Sequence, residues 1–261
     1  MNRMEACIAE IKSWMADNLL KLNDSKTEFM IFGTENDIAK VSEWTVSVGS
    51  AEVLPSRTVR NIGVMIDSAL TMKSHISSIT KSCYTQLRYI SKIRKYLSEN
   101  STKSLIHAYV TSRLDNMNSL LHKIPDYLLN KLQLIQNNSA RLIVQKRKSC
   151  HITPTLIQLH WLPTDQRIEY KILLLTYKCL HGRGPAYLSS LLKDYCPDRT
   201  LRSSNMILLQ VSKTNKKFGD RAFSVAGPTL WNSLPYELRS CESINIFKKQ
   251  LKTYLFKQAY K

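Results

Sequence analysis

Hydrophobic residues in the first 67 positions show helical spacing at first and then fall into short segments typical of strands. Over residues 3–20 they recur every three or four positions, which predicts a helix with one buried face. Residues 27–32, 43–48 and 59–66 are short and rich in branched or aromatic side chains, which predicts strands. We therefore predict that residues 1–67 form one helix packed on antiparallel strands.

A long amphipathic helix is predicted over residues 71–98. Its apolar positions are spaced by three or four residues throughout: Met72, Ile76, Ile79, Cys83, Leu87, Ile90, Ile93 and Leu97. Its other positions carry lysines and arginines, with Tyr84 and Tyr89 among them. This mixture favours nucleic acid, because phosphates pair with cations and bases stack on aromatic rings. A solvated surface and a membrane-surface face are the two alternative interpretations.

The remainder of the chain is predicted to be mainly helical, with prolines and glycines separating the helices. The predicted helices lie near residues 102–113 and 126–146, from Thr164 to about residue 180, and at 247–256. Residues 196–240 are rich in turn signals, including a predicted turn at Gly227 and Pro228. The predicted fold class is α+β, with a small helix-plus-antiparallel-strand part followed by a mainly α-helical part.

The charge of the chain is strongly basic and unevenly distributed. The net charge is +18 over 261 residues. Residues 1–54 hold five basic and nine acidic side chains, so the whole excess lies in residues 55–261. A basic excess of this size indicates a polyanionic partner, since phosphate contacts are made by lysine and arginine.

Few catalytic or metal-binding patterns are present. Mg²⁺-dependent phosphoryl transfer needs converging carboxylates, and the sequence has no adjacent or DxD aspartate pair. The six cysteines are scattered without a CxxC pair, which suits a reducing compartment. Cys150, His151 and His160 fit no standard zinc spacing, so packed histidines are the favoured interpretation. We expect a nuclear or cytoplasmic protein that is not secreted and does not enter a membrane.

Several segments in fixed order resemble one protein family. WMADNLLKLNDSKTEFMIFG resembles the end of the palm in LINE-type (non-LTR, jockey-like) retrotransposon reverse transcriptases, and NIGVMID resembles that family's LGV-x-x-D segment, with Ile62 where leucine is usual. SRLDNMNSLL, HITPTLIQLHWLPTDQRIEYK, RAFSVAGPTLWNSLP and FKKQLKTYLF resemble later segments of the same family. The likeness runs over essentially the whole chain.

The resemblance implies that this chain is the C-terminal part of an RNA-directed DNA polymerase. Residues 1–67 would be the C-terminal remnant of the palm, 68–148 a helical thumb-like region and 149–261 a C-terminal helical and turn-rich region. In the family, the metal-binding aspartates precede the first of these segments. The expectation is a chain with no cofactor of its own, where the complete enzyme uses Mg²⁺, and with no synthesis activity alone.

The resemblance also implies a set of site residues. Lys26 matches a lysine proposed in such polymerases as general acid for the pyrophosphate leaving group, a role that exists only in a complete enzyme. Asn61 and Gly63 lie in a segment resembling the hairpin that positions the primer end, together with Ile62 and Val64. The residues that would face a template–primer duplex are Lys73, Lys81, Arg88, Lys92, Arg94 and Lys95. The expected recognition is of backbone and shape.

The sequence is compatible with three hypotheses about function. The first is a truncated reverse transcriptase fragment that retains binding to RNA, DNA or an RNA–DNA hybrid. The second is a domesticated helical module that binds protein and has no nucleic-acid role. The third is a polymerase whose gene model has been cut short.

Overall fold

The computed structural model describes residues 2–41, 43–49, 51–196, 206–215 and 218–261. It has an α+β fold with a mainly helical C-terminal part, as predicted. The chain divides into two compact units, unit 1 at Met1–Ser78 and unit 2 at Ile79–Lys261. The three functional segments expected from the sequence have boundaries at residues 67 and 148, and these boundaries remain predictions.

Unit 1 combines short helices with two separate β-hairpins. Its helices are α1 (Asn2–Asp17) and α2 (Glu35–Ala39), with a 3₁₀ turn at Asp24–Lys26. Its strands pair antiparallel as β1 (Val46–Val48) with β2 (Ala51–Val53), and β3 (Thr58–Asn61) with β4 (Val64–Asp67). An ion pair connects α1 to the 3₁₀ turn, because the Lys12 ammonium lies 2.8 Å from the Asp24 carboxylate.

Two strand predictions in unit 1 need correction. Residues 27–32 form no ladder, and only an isolated bridge joins Phe29 to Pro55. Residues 59–66 are not one strand but the two arms of a hairpin, because the chain reverses at Ile62 and Gly63. A run of branched and aromatic residues does not reveal which segments find a pairing partner, and that pairing decides whether a strand forms.

The long helix α3 (Lys73–Ile93) follows a turn that is held by an acidic side chain. The Asp67 carboxylate accepts hydrogen bonds from the backbone N–H groups of Thr71 and Met72, both at 2.7 Å. Both N–H groups precede Lys73, so the Asp67 carboxylate orders the turn that leads into α3. The helix begins in unit 1, and its residues from Ile79 onward belong to unit 2.

Unit 2 is built from helices. After α3 come α4 (Glu99–Ile106), α5 (Ser112–Asp115), α6 (Asp126–Val144), α7 (Thr153–Gln158), α8 (Thr164–Leu180), α9 (Ala186–Ser189), α10 (Phe223–Asn232), α11 (Tyr236–Arg239) and α12 (Ile244–Ala259). A π-helical turn at His107–Thr111 joins α4 to α5. One core cluster forms around Tyr177, Trp231 and Phe247, all fully buried, with the Tyr177 and Phe247 rings stacked at 4.2 Å between centroids.

The predicted turn at Gly227 and Pro228 is wrong, because both residues lie inside α10. A Cβ added at Gly227 would come within 2.9 Å of the Thr176 hydroxyl on α8. The glycine therefore lets α10 approach α8 closely, and burial of Trp231 on the same helix stabilises that contact. Tertiary packing overrides the local signal for a turn here.

Candidate nucleic-acid interface

Helix α3 separates an apolar face from a basic one within unit 2. Ile79, Cys83, Leu87 and Ile90 are buried. Lys81, Arg88 and Lys92 are exposed, and their spacing of seven and four residues places them along one stripe of the helix. Lys95 is exposed in the 3₁₀ turn that follows α3. The structure thus brings four of the predicted contact residues onto neighbouring positions.

A groove of about 580 Å³ runs between α3 and α6. Four of the residues that line it are cationic: Arg88, Arg141, Lys146 and Lys148. None of its lining residues carries a carboxylate, so the local field is positive. Tyr84 lies in the same groove, and its hydroxyl oxygen accepts a hydrogen bond of 3.1 Å from the Asn138 side-chain amide. This arrangement can hold phosphates beside an aromatic ring.

Three of these groove cations are not among the residues predicted from the sequence. Arg141, Lys146 and Lys148 lie more than 50 positions beyond Arg88, on the end of α6 and the segment after it. The basic run QKRK at residues 145–148 was the available signal. Tertiary packing places this run beside α3, and the periodicity of a single helix does not predict such packing.

Arg94 differs from the other predicted contacts. Its guanidinium donates hydrogen bonds to the backbone oxygens of Leu97 at 2.7 Å, Leu142 at 3.0 Å and Ile143 at 2.7 Å. Leu142 and Ile143 lie in the last turn of α6, where carbonyl groups have no partner within the helix. Arg94 therefore joins the end of α3 to the end of α6, and three of its donor groups are occupied by backbone.

Two predicted contacts lie on a tight hairpin of unit 1. Asn61 ends β3 and pairs with Val64, which leaves Ile62 and Gly63 as a two-residue loop. The φ angles of the loop residues are +46° at Ile62 and +80° at Gly63. Positive φ at both positions is the type I′ turn that matches the twist of paired strands. Asn61, Ile62 and Gly63 are all exposed, so the turn presents backbone to solvent.

Replacing Ile62 with asparagine is expected to raise the free energy of unfolding of unit 1 by about 1 kcal/mol, because a β-branched residue is strained at positive φ whereas asparagine tolerates it. Ile62 is 79% exposed, so little burial is lost. Urea unfolding measures the change. The control Ile62→Val keeps the branch and should give no gain, and an equal gain in both variants would contradict the role of backbone strain.

Lys26 and Lys73 are exposed in unit 1. Lys26 ends the 3₁₀ turn Asp24–Lys26 rather than entering a strand. Among the described residues no carboxylate, including that of the nearby Glu28, lies within 4.0 Å of its ammonium group. Lys73 is the first residue of α3. Both side chains are accessible to an anionic ligand.

No group of three or more His, Cys, Asp or Glu side chains in the described part of the chain could hold a metal ion. None of the described helices is both long and apolar enough to cross a bilayer. Scans against protein-family models, curated proteins and solved structures gave no match to this chain. Function is therefore inferred from the residues themselves and from the resemblance.

Proposed function

We propose that this chain is part of a LINE-type reverse transcriptase and that its helical unit binds RNA, DNA or an RNA–DNA hybrid. The observation that carries the binding proposal is the groove between α3 and α6. It is lined by Arg88, Arg141, Lys146 and Lys148, and no acidic residue lines it. Arg88 also belongs to the exposed stripe of α3 that contains Lys81 and Lys92. Cations placed this way neutralise a polyphosphate backbone.

The groove supports recognition of the backbone rather than of base sequence. Lysine and arginine contact phosphates and fix the position of a strand without reading it. Tyr84 offers one ring for stacking, which tolerates any base. A polymerase must accept every sequence, so this mode of recognition agrees with the role that the resemblance implies.

The catalytic part of the proposal concerns a complete enzyme only. There Lys26 would donate a proton to the pyrophosphate leaving group, and the turn at Asn61–Gly63 would position the primer end. Mg²⁺ in such an enzyme is held by paired carboxylates, and no adjacent aspartate pair exists in these 261 residues. We therefore propose that this chain does not synthesise DNA alone.

Binding of a 20-base-pair RNA–DNA hybrid is expected to weaken steeply with salt. If about four phosphates are neutralised, affinity falls roughly 100-fold between 50 and 200 mM salt. A filter-binding titration over that range measures the slope. A flat response, or no binding at the lowest salt, would remove the proposal. Incorporation of nucleotides by the purified chain would remove its catalytic part.

A protein-binding module is the second candidate, and the first helix favours it. Helix α1 exposes Met4, Ile11 and Trp14, which share one face at helical spacing. Exposed apolar surface of this kind is a common feature of protein interfaces. In a polymerase the same face would pack against the rest of the palm. The two candidates differ in whether the basic stripe of α3 is needed for binding.

A further inference from the structure

Unit 2 contains a second cavity, which is distinct from the α3–α6 groove. It measures about 570 Å³, within the 300–1,000 Å³ typical of small-molecule sites. Its walls come from α4, the π-helical turn, α5, the loop after α7, α8 and α12. Three sequence segments meet there, SRLDNMN, LHWLP and RIEYK, none of which contributes a residue to the α3–α6 groove. We call it the α8 cavity.

One wall of the α8 cavity is made by residues at intervals of four. These are Lys103, His107, Thr111 and Asp115. In a regular α-helix each step of four residues drifts by about 40°, so four such residues would spiral away from one wall. The π-helical turn at His107–Thr111 holds more residues per turn, so the step from His107 to Thr111 turns the other way and offsets part of that drift. The rare helical form thus aligns four polar side chains along one cavity.

The cavity is cationic. Arg167 pairs with Asp115 through both carboxylate oxygens, so these two charges offset each other. Lys103, Lys171 and Lys252 also line the cavity, and no carboxylate of the described residues lies within 4.0 Å of their ammonium groups. Three uncompensated lysines around one cavity provide a site for a multiply charged anion.

The rest of the lining suits a ring with a hydrogen-bond donor. Trp161, Tyr170 and His107 contribute aromatic surface, and Leu159 and Leu162 contribute apolar surface. Asn118 lines the same cavity, is only 4% exposed, and its side-chain oxygen has no hydrogen-bond partner among the described residues. A buried acceptor without a partner is costly, and a ligand N–H would satisfy this one once the Asn118 side chain rotates toward the cavity.

We propose that the α8 cavity binds a nucleoside phosphate. Lys103, Lys171 and Lys252 hold the phosphates, the aromatic residues contact the base, and the Asn118 oxygen accepts a hydrogen bond from the amino group of the base. A purely apolar ligand would not use the lysines, and a bare inorganic anion would not use the aromatic residues or the Asn118 oxygen. This site goes beyond the proposed strand-binding groove and does not depend on it.

Calorimetric titration of the full chain with ADP, without magnesium, tests the proposal. ADP is expected to bind, while pyrophosphate and adenosine each bind at least tenfold more weakly because each lacks half of the contacts. Tryptophan fluorescence provides a second readout when the chain is compared with its Trp161→Phe variant, because Trp161 is the one of the four tryptophans that lines the cavity. The absence of ADP binding up to millimolar concentration, or pyrophosphate binding as tightly as ADP, would overturn the proposal.

Substitutions test whether the residues that line the α8 cavity are those that bind ADP. Lys171→Gln combined with Lys252→Gln should weaken ADP at least tenfold, while the matched pair Lys249→Gln with Lys257→Gln, on the same helix as Lys252 but outside the cavity, should not. Asn118→Leu should weaken ADP about fivefold, the value of one lost hydrogen bond, without lowering the thermal midpoint. Equal ADP affinity in the cavity variants and the control pair would refute the assignment.

The two proposed sites can fail separately. Reversing the charges of Lys81, Arg88 and Lys92 on α3 should leave ADP affinity unchanged, because none of these residues lines the α8 cavity. If the chain binds ADP but does not bind the hybrid, the α8 site is retained and the proposed strand-binding function is refuted. ADP affinity that drops with the α3 reversals would instead place the nucleotide in the groove and overturn the α8 assignment.

Discussion

Replacing Lys81, Arg88 and Lys92 together with glutamate is expected to reduce affinity for an RNA–DNA hybrid by at least about 100-fold at 50 mM salt. Each lost phosphate contact reduces the slope of log affinity against log salt concentration by about one. Each introduced carboxylate also repels the phosphates of the strand. The three side chains are exposed and lie on the face of α3 opposite its buried residues, so the fold should be retained. Filter binding at several salt concentrations measures both effects.

The matched control changes the net charge equally at other exposed positions of unit 2. Lys193, Lys249 and Lys257 are exposed and none lines the groove, so their reversal to glutamate should lower affinity only slightly through the overall field. Equal losses in the two triple variants would mean that the net charge of the chain, and not the basic face of α3, binds the strand. Retained binding of a protein partner in the α3 variant would favour the protein-binding module.

The amphipathic helix α3 could be predicted because its cause is local. Buried residues at Ile79, Cys83, Leu87 and Ile90 repeat at the helical period, and the cations occupy the remaining positions. The C-terminal end of α3 is predicted less well by the spacing of apolar residues. Residues 94–98 continue the apolar spacing, yet the chain forms a 3₁₀ turn at Arg94–Tyr96 and then leaves the helix. Helix ends depend on capping contacts from distant residues, which periodicity does not encode.

The hairpin at Ile62 and Gly63 shows two kinds of sequence information disagreeing. The branched residues of positions 59–66 favoured one continuous strand, whereas the resemblance implied a hairpin at Asn61–Val64. The observed turn agrees with the hairpin. Glycine allows a positive φ at position 63, but Ile62 carries no such signal, since branched residues are rare in this conformation. Pairing of the two arms outweighs the preference of one residue.

The α8 cavity could not be predicted from the spacing of its residues. Lys103 and Lys252 are far apart in the sequence and meet only through packing of α4, α8 and α12. The π-helical turn that aligns one wall has no recognised residue pattern in the stretch HAYVT. The segments SRLDNMN, LHWLP and RIEYK were quoted for the resemblance alone, and their convergence on one cavity is a property of the folded unit.

Replacing Arg94 with methionine is expected to lower the free energy of unfolding of unit 2 by about 3 kcal/mol, because hydrogen bonds from a charged group are lost and carbonyls at the end of α6 are left without partners. Arg94→Lys should recover only part of this, since an ammonium cannot reproduce the planar fork of donors. The exposed neighbour Lys95 is the control, and Lys95→Met should change stability by less than about 0.5 kcal/mol.

The same pair of variants separates a structural role of Arg94 from a role in binding. Under conditions where both variants are folded, Lys95→Met should weaken hybrid binding at least as much as Arg94→Met, because the Arg94 guanidinium is already bonded to the backbone of α6. Urea unfolding and filter binding on the same samples give both quantities. Unchanged stability together with a large loss of binding in Arg94→Met would make Arg94 a phosphate ligand and contradict its assignment as the link between α3 and α6.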